Sequence, residues 1–154
     1  MKNKIFETSE SYAPLILRVI LGAVVLMHGM QKSFGCFGGM GFSRTMLFFT
    51  DSVGLPWIMG FLVIMLETVG AAALIAGAGT RIIAFSYTIL PLGMIITTHF
   101  KNGFFMNWFG TLKGEGYEYF ILWIGMAIAL FILGGGKYAI DKIFIEKNNY
   151  KLKQ

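Results

Sequence analysis

Four long apolar runs within 154 residues leave few folds open to this chain. They occupy roughly 14–32, 56–77, 81–99 and 117–134, and each provides close to the ~20 residues that a helix rising 1.5 Å per residue needs to cross a hydrocarbon layer. Lipid offers the backbone no hydrogen-bond partner, so runs of this length are read as helices that satisfy their own N–H and C=O groups. Composition agrees: 56% of residues are hydrophobic and 14% charged, against a usual quarter charged in soluble domains. The expected fold is an all-α membrane protein, an antiparallel four-transmembrane-helix bundle forming a single membrane domain over 1–154, with a basic cytoplasmic tail at 137–154.

The helix ends are marked in the sequence. Pro14 and Pro56 stand where a first turn tolerates a missing N–H, Gly77 and Gly79 break the second run, and Gly134-Gly135-Gly136 closes the fourth. Lys2 and Lys4 precede the first run as in a signal peptide, but no small-x-small cleavage site follows, so the run is read as a retained helix. The turn between the second and third runs is short enough to make those helices antiparallel neighbours. Pro91 is expected to kink the third helix, with Tyr87 or Thr88 available to serve the freed carbonyl.

Orientation follows from the basic residues. Lys2, Lys4, Arg81, Lys137, Lys142, Lys147, Lys151 and Lys153 fall on one side, and Lys32, Arg44, Lys101 and Lys113 on the other. The richer side is cytoplasmic by the positive-inside rule, which places both termini there. The net charge of +5 then suits a tail beside anionic lipid and argues against nucleic acid as a partner. Cys36 is the one cysteine, which excludes an intramolecular disulfide and any CxxC redox or zinc motif.

Two outer connections remain. The first, Ser33 to Leu55, carries Phe42, Met46, Phe49 and Val53 at helical spacing, and Ser43 is placed to cap a short interfacial helix. The second sets His99, Lys101, Asn102, Asn107, Glu115 and Glu118 among Phe and Trp residues, a mixture that hydrophobicity alone does not account for.

Polar residues inside the runs define the candidate site. Glu67 lies near the middle of the second run, where a lipid-facing carboxylate would cost on the order of 3 kcal/mol, so it should face inward. Gly60, Glu67, Gly70 and Gly77 share its stripe, and small residues there mark a close helix neighbour. Arg18 either snorkels to the headgroups or serves an interior role. His28, Gln31 and Lys32 share one face of the first helix. His99 ends the third helix and Glu118 begins the fourth on the same side, with Tyr117 beside it as an interhelical or aromatic-belt residue. The expectation is one pocket lined by His28, Gln31, Lys32, His99, Asn102 and Glu118, floored by Glu67 and roofed by the 102–119 loop. Arg18, Gly60 and Gly70 fall to structural duty.

Leu17-Arg18, His28-Gly29-Met30-Gln31-Lys32, Glu67-Thr68-Val69-Gly70, Thr80-Arg81, Asn102-Gly103-Phe104-Phe105 and Gly116-Tyr117-Glu118-Tyr119 together resemble the DoxX family of small four-helix bacterial membrane proteins. The likeness covers roughly Ala13 to Asp141. It departs at Lys101, where the family pattern carries Pro before Asn-Gly-Phe. The resemblance implies a subunit linked to thiosulfate oxidation with quinone, or to membrane redox and stress complexes, acting beside further subunits.

Three functions fit these residues. A redox-linked subunit would bind a quinone or similar hydrophobic molecule, which needs an apolar slot, donors for its carbonyl oxygens and a protonatable group. No intrinsic cofactor motif is present, so a redox partner subunit would supply electrons. A non-catalytic scaffold or assembly subunit would need no ligand. A small proton- or ion-coupled transporter would use Glu67 and require a homo-oligomer to build a pathway. Haem between His28 and His99 is disfavoured, since no CxxCH accompanies them, and no metal set is visible.

Overall fold

The structure, a computed structural model, describes residues 6–143. The expectations placed on Lys2, Lys4 and the tail lysines Lys147, Lys151 and Lys153 lie outside these residues. Within them every regular element is helical: α1 (Tyr12–Phe34), α2 (Gly41–Leu47), α3 (Trp57–Ala76), α4 (Thr80–Asn102) and α5 (Glu118–Leu133). Three of these, α1, α3 and α4, are long and apolar enough to cross a membrane, and α5 is a shorter apolar helix of 16 residues.

Local chemistry sets the ends. The Ser11 hydroxyl accepts a hydrogen bond from the Ala13 N–H at 3.1 Å, and Gly35 leaves α1 at a φ of 72°, a left-handed turn that glycine adopts without a Cβ penalty. Ser43 does not cap α2; the helix already begins at Gly41, so Ser43 lies inside it and is exposed. Met46 and Phe49 pack on Ile64 of α3, and a Cβ at Gly60 would meet Phe49 at 3.1 Å. That glycine therefore opens α3 to the short helix.

The turn at Gly77–Gly79 joins α3 to α4, yet these two helices pack on each other little beyond it. Instead α1 lies along α3 and also touches α5, while α4 packs most extensively on α5. The core between them holds Leu21, Val25, Leu74, Tyr87, Trp123, Ala127 and Leu130, all nearly without solvent contact. Outward of the turn, Tyr87 bridges the gap by donating its hydroxyl to the Leu66 carbonyl at 3.0 Å. Tyr87 therefore does not serve the carbonyl freed by Pro91, and nor does Thr88, whose hydroxyl bonds the Ala84 carbonyl at 3.0 Å.

Arg18 turns inward. It is 2% exposed and donates to the carbonyls of Gly135 (2.9 Å), Leu74 (3.5 Å), Lys137 (3.3 Å) and Ile75, which removes the snorkelling alternative. Asp141, also buried, accepts from the N–H groups of Gly79 at 2.7 Å and Thr80 at 2.9 Å and so caps α4. Arg81 reaches back to the Glu7 carbonyl at 3.0 Å, and Lys142 pairs with Glu10. The N-terminal segment, the α3–α4 turn and the segment after α5 are thereby tied together at one end.

Candidate functional site

Glu67 is 1% exposed and paired with the Lys32 ammonium, which reaches it from α1. Its backbone is unusual too, because Leu66–Gly70 forms a widened π turn within α3, a feature often found at functional positions. Ala71 N–H bonds the Leu66 carbonyl across that turn, and the same carbonyl accepts from Tyr87. One residue on, the Thr68 hydroxyl donates back to the Ile64 carbonyl at 2.8 Å and meets the Ser33 hydroxyl at 2.7 Å. Lys32 and Ser33 of α1 thus grip consecutive residues of α3.

Gly29 makes this grip attainable. A Cβ there would lie 2.3 Å from the Glu67 carbonyl oxygen and 2.8 Å from the Thr68 nitrogen, and one at Gly22 would meet the Ala71 carbonyl at 3.1 Å. Glycines at these two positions let the α1 and α3 backbones nearly touch. Gly70 is not part of this contact, since its only near neighbour is its own Leu66 side chain. We predict that Gly29→Ala forces the helices apart, lowering stability by about 1–3 kcal/mol, the usual scale of overpacking. Gly93→Ala is the control, because a Cβ there meets nothing within 4 Å. Thermal unfolding of the two variants in lipid nanodiscs would measure the difference.

Aromatic side chains from α4 and α5 close the site. Tyr87 and Trp123 meet edge to face at 5.4 Å, Trp123 and Tyr119 at 6.1 Å, and the His28 ring lies 6.3 Å from that of Tyr119. Tyr87 reaches the same stretch of α3, since its hydroxyl bonds the carbonyl of Leu66, the residue before Glu67. The Tyr119 hydroxyl and the Trp123 indole N–H are buried without a hydrogen-bond partner. Buried donors normally find an acceptor, so two orphans in contact call for an explanation.

The single pocket expected from the sequence is divided. Lys32 and Glu67 come together, and His28 stands on the same helix face near Tyr119. His99 and Asn102 belong to a second group, in which both side chains hydrogen-bond the Glu115 carbonyl, at 2.9 and 3.0 Å. Glu118 turns to the loop instead, accepting from Met106 N–H at 3.1 Å and Trp108 Nε1 at 3.2 Å. Gln31 makes a long contact of 3.5 Å to the Phe37 carbonyl. Loop C=O and N–H groups need partners, and they claim the polar side chains at the α4 and α5 ends before any shared site can. Phe120 touches both groups, its ring 4.6 Å from that of His99 and 5.4 Å from that of Tyr119.

Tyr87, Tyr119 and Trp123 escaped the sequence reading because aromatic residues in an apolar run look like core or belt. Ser33 and Thr68 were equally inconspicuous. Gly29, seven residues after Gly22, is the one signal that could have located the α1–α3 contact.

Comparison with known proteins places the chain in a family. No solved structure matches the chain. A protein of Bacillus subtilis (strain 168) named "Putative oxidoreductase CatD" is 32% identical over 148 residues, covering 96% of this chain and 96% of the relative. The DoxX family model matches residues 13–100, more than half of the chain. The protein therefore belongs to the DoxX family, whose apolar helices here are those of a multi-pass membrane protein.

Proposed function

We propose that this protein is a redox-linked membrane subunit that binds a quinone or similar small hydrophobic molecule beside Glu67. The observation that carries this reading is the pair of buried donors, Tyr119 Oη and Trp123 Nε1, left without acceptors near a buried carboxylate–ammonium pair. A quinone carbonyl oxygen is an acceptor of the kind these donors lack, and reduction of a quinone consumes protons that a coupled Glu67–Lys32 pair can pass on. Electrons would come from a partner subunit. The relative's name, which includes oxidoreductase, points the same way.

In this reading α1, α3, α4 and α5 form an antiparallel bundle in the bacterial inner membrane, with α2 at the outer interface and both termini cytoplasmic. In a Cys36→Ser background, Glu10→Cys, at a residue 79% exposed, should resist an impermeant thiol reagent in intact cells while Lys113→Cys is labelled. The reverse pattern would invert the topology. Lipid extraction from protein purified out of native membranes tests the ligand: bound quinone supports the reading. A stoichiometric partner protein without quinone would replace it with an assembly subunit.

A further inference from the structure

The fourth membrane helix is too short for its neighbours. At 16 residues α5 is about 24 Å long, against ~30 Å of hydrocarbon, whereas α1 and α4 have 23 residues each. Its cytoplasmic-side end is fixed by the buried Gly134–Gly136 knot, so the shortfall lies at the outer end, where the chain enters from the loop at 103–117. This loop is strongly apolar on its surface: Phe105 is 68% exposed, Trp108 80% and Phe109 91%, with Phe104 and Leu112 also exposed. Large aromatic side chains displayed to water would be costly, and this set follows directly from a helix that ends early.

A set of short-range contacts gives the loop a defined shape. The Phe104 carbonyl accepts from Tyr117 N–H (3.0 Å) and Glu118 N–H (2.9 Å), covering the first turn of α5. Asn107 closes on Leu112 from both sides, donating to its carbonyl at 3.1 Å and accepting its N–H at 2.9 Å. The Glu115 and Glu118 carboxylates take the N–H groups of Asn107 (2.7 Å) and Met106 (3.1 Å). Three carbonyls crowd the position a Cβ would occupy at Gly116, the nearest at 2.3 Å, so only glycine allows the loop to fold this tightly. Irregular backbone is tolerated at membrane depth only where it is buried in protein or lines water, so the loop's backbone belongs at the polar interface and only its apolar side chains reach into the acyl region. Lys101 at the end of α4 and Lys113 on the loop are exposed cations that complement lipid phosphate, beside the Glu115 and Glu118 carboxylates.

We propose that residues 103–117 form a collar at the lipid interface that completes the outer end of the fourth span, with the side chains of Phe105, Trp108 and Phe109 among the acyl chains and Lys101 and Lys113 at the phosphates. Trp108 sets the depth, because its indole N–H is tied to Glu118 at the start of α5. The test uses the full chain in a Cys36→Ser background, with Phe109→Cys and, as a second position, Phe105→Cys, each labelled with a bimane fluorophore. Both side chains are exposed and unburdened by hydrogen bonds, so neither variant should disturb folding. In vesicles of phosphatidylcholine brominated high on the acyl chain, both labels should be quenched several-fold more than by aqueous iodide, and a label at Lys113→Cys should show the opposite balance. Stronger quenching by iodide than by brominated lipid at Phe109 and Phe105 would overturn the collar and make the loop a water-facing surface for a partner protein.

Discussion

Arg18→Leu should be the most destabilising single change in the membrane-spanning region. The guanidinium gathers four carbonyls from two parts of the chain: Leu74 and Ile75 near the end of α3, and Gly135 and Lys137 beyond α5. Leu74 keeps the Gly77 N–H at 3.0 Å, but the other three carbonyls are stranded, at about 1–3 kcal/mol for each unpaired group. The loss should therefore reach several kcal/mol. Arg18→Lys should recover only part of it, since one ammonium cannot span acceptors that a planar fork reaches in several directions. Asp141→Ala should weaken the same end by about 1 kcal/mol through loss of the α4 cap. Thermal unfolding in nanodiscs measures all three, and wild-type melting of Arg18→Leu would mean the knot carries no stability.

Lys32→Met should be nearly as damaging, for a different reason. It leaves the Glu67 carboxylate buried and unpaired, a change that typically costs about 3–5 kcal/mol. Replacing both partners with apolar residues of similar volume is often close to neutral, so Lys32→Met/Glu67→Leu should melt within about 1 kcal/mol of wild type. Glu67→Gln should keep the fold, because an amide still hydrogen-bonds between α1 and α3. The double variant separates structure from function: a pair needed only for folding leaves it active, whereas a proton-handling pair leaves it stable and inactive.

The sequence carries the helices well and the site less well. Run length and the proline and glycine punctuation locate α1, α3 and α4 to within a few residues, because the bilayer demands satisfied backbone over a fixed distance. The burial of Glu67 follows from the same logic, as an exposed carboxylate there is too costly. Arg18 stayed ambiguous, since its role depends on the carbonyls of Gly135 and Lys137, more than a hundred residues away. The shared pocket failed because helical phase reports a direction for Glu118 and His99 but says nothing of how many loop N–H and C=O groups compete for them. Asp141 looked like one acid in a basic tail until the chain was seen to return to the α3–α4 turn.

Quinone binding to the wild type and to the stable Lys32→Met/Glu67→Leu variant, titrated side by side in nanodiscs, tests the central claim most directly. The expected result is saturable binding to the wild type, with quenching of Trp123 fluorescence isolated in a Trp57→Phe/Trp108→Phe background, and binding lost in the double variant although its melting temperature is unchanged. Equal binding by both proteins, or none by the wild type, would contradict a quinone site at Glu67.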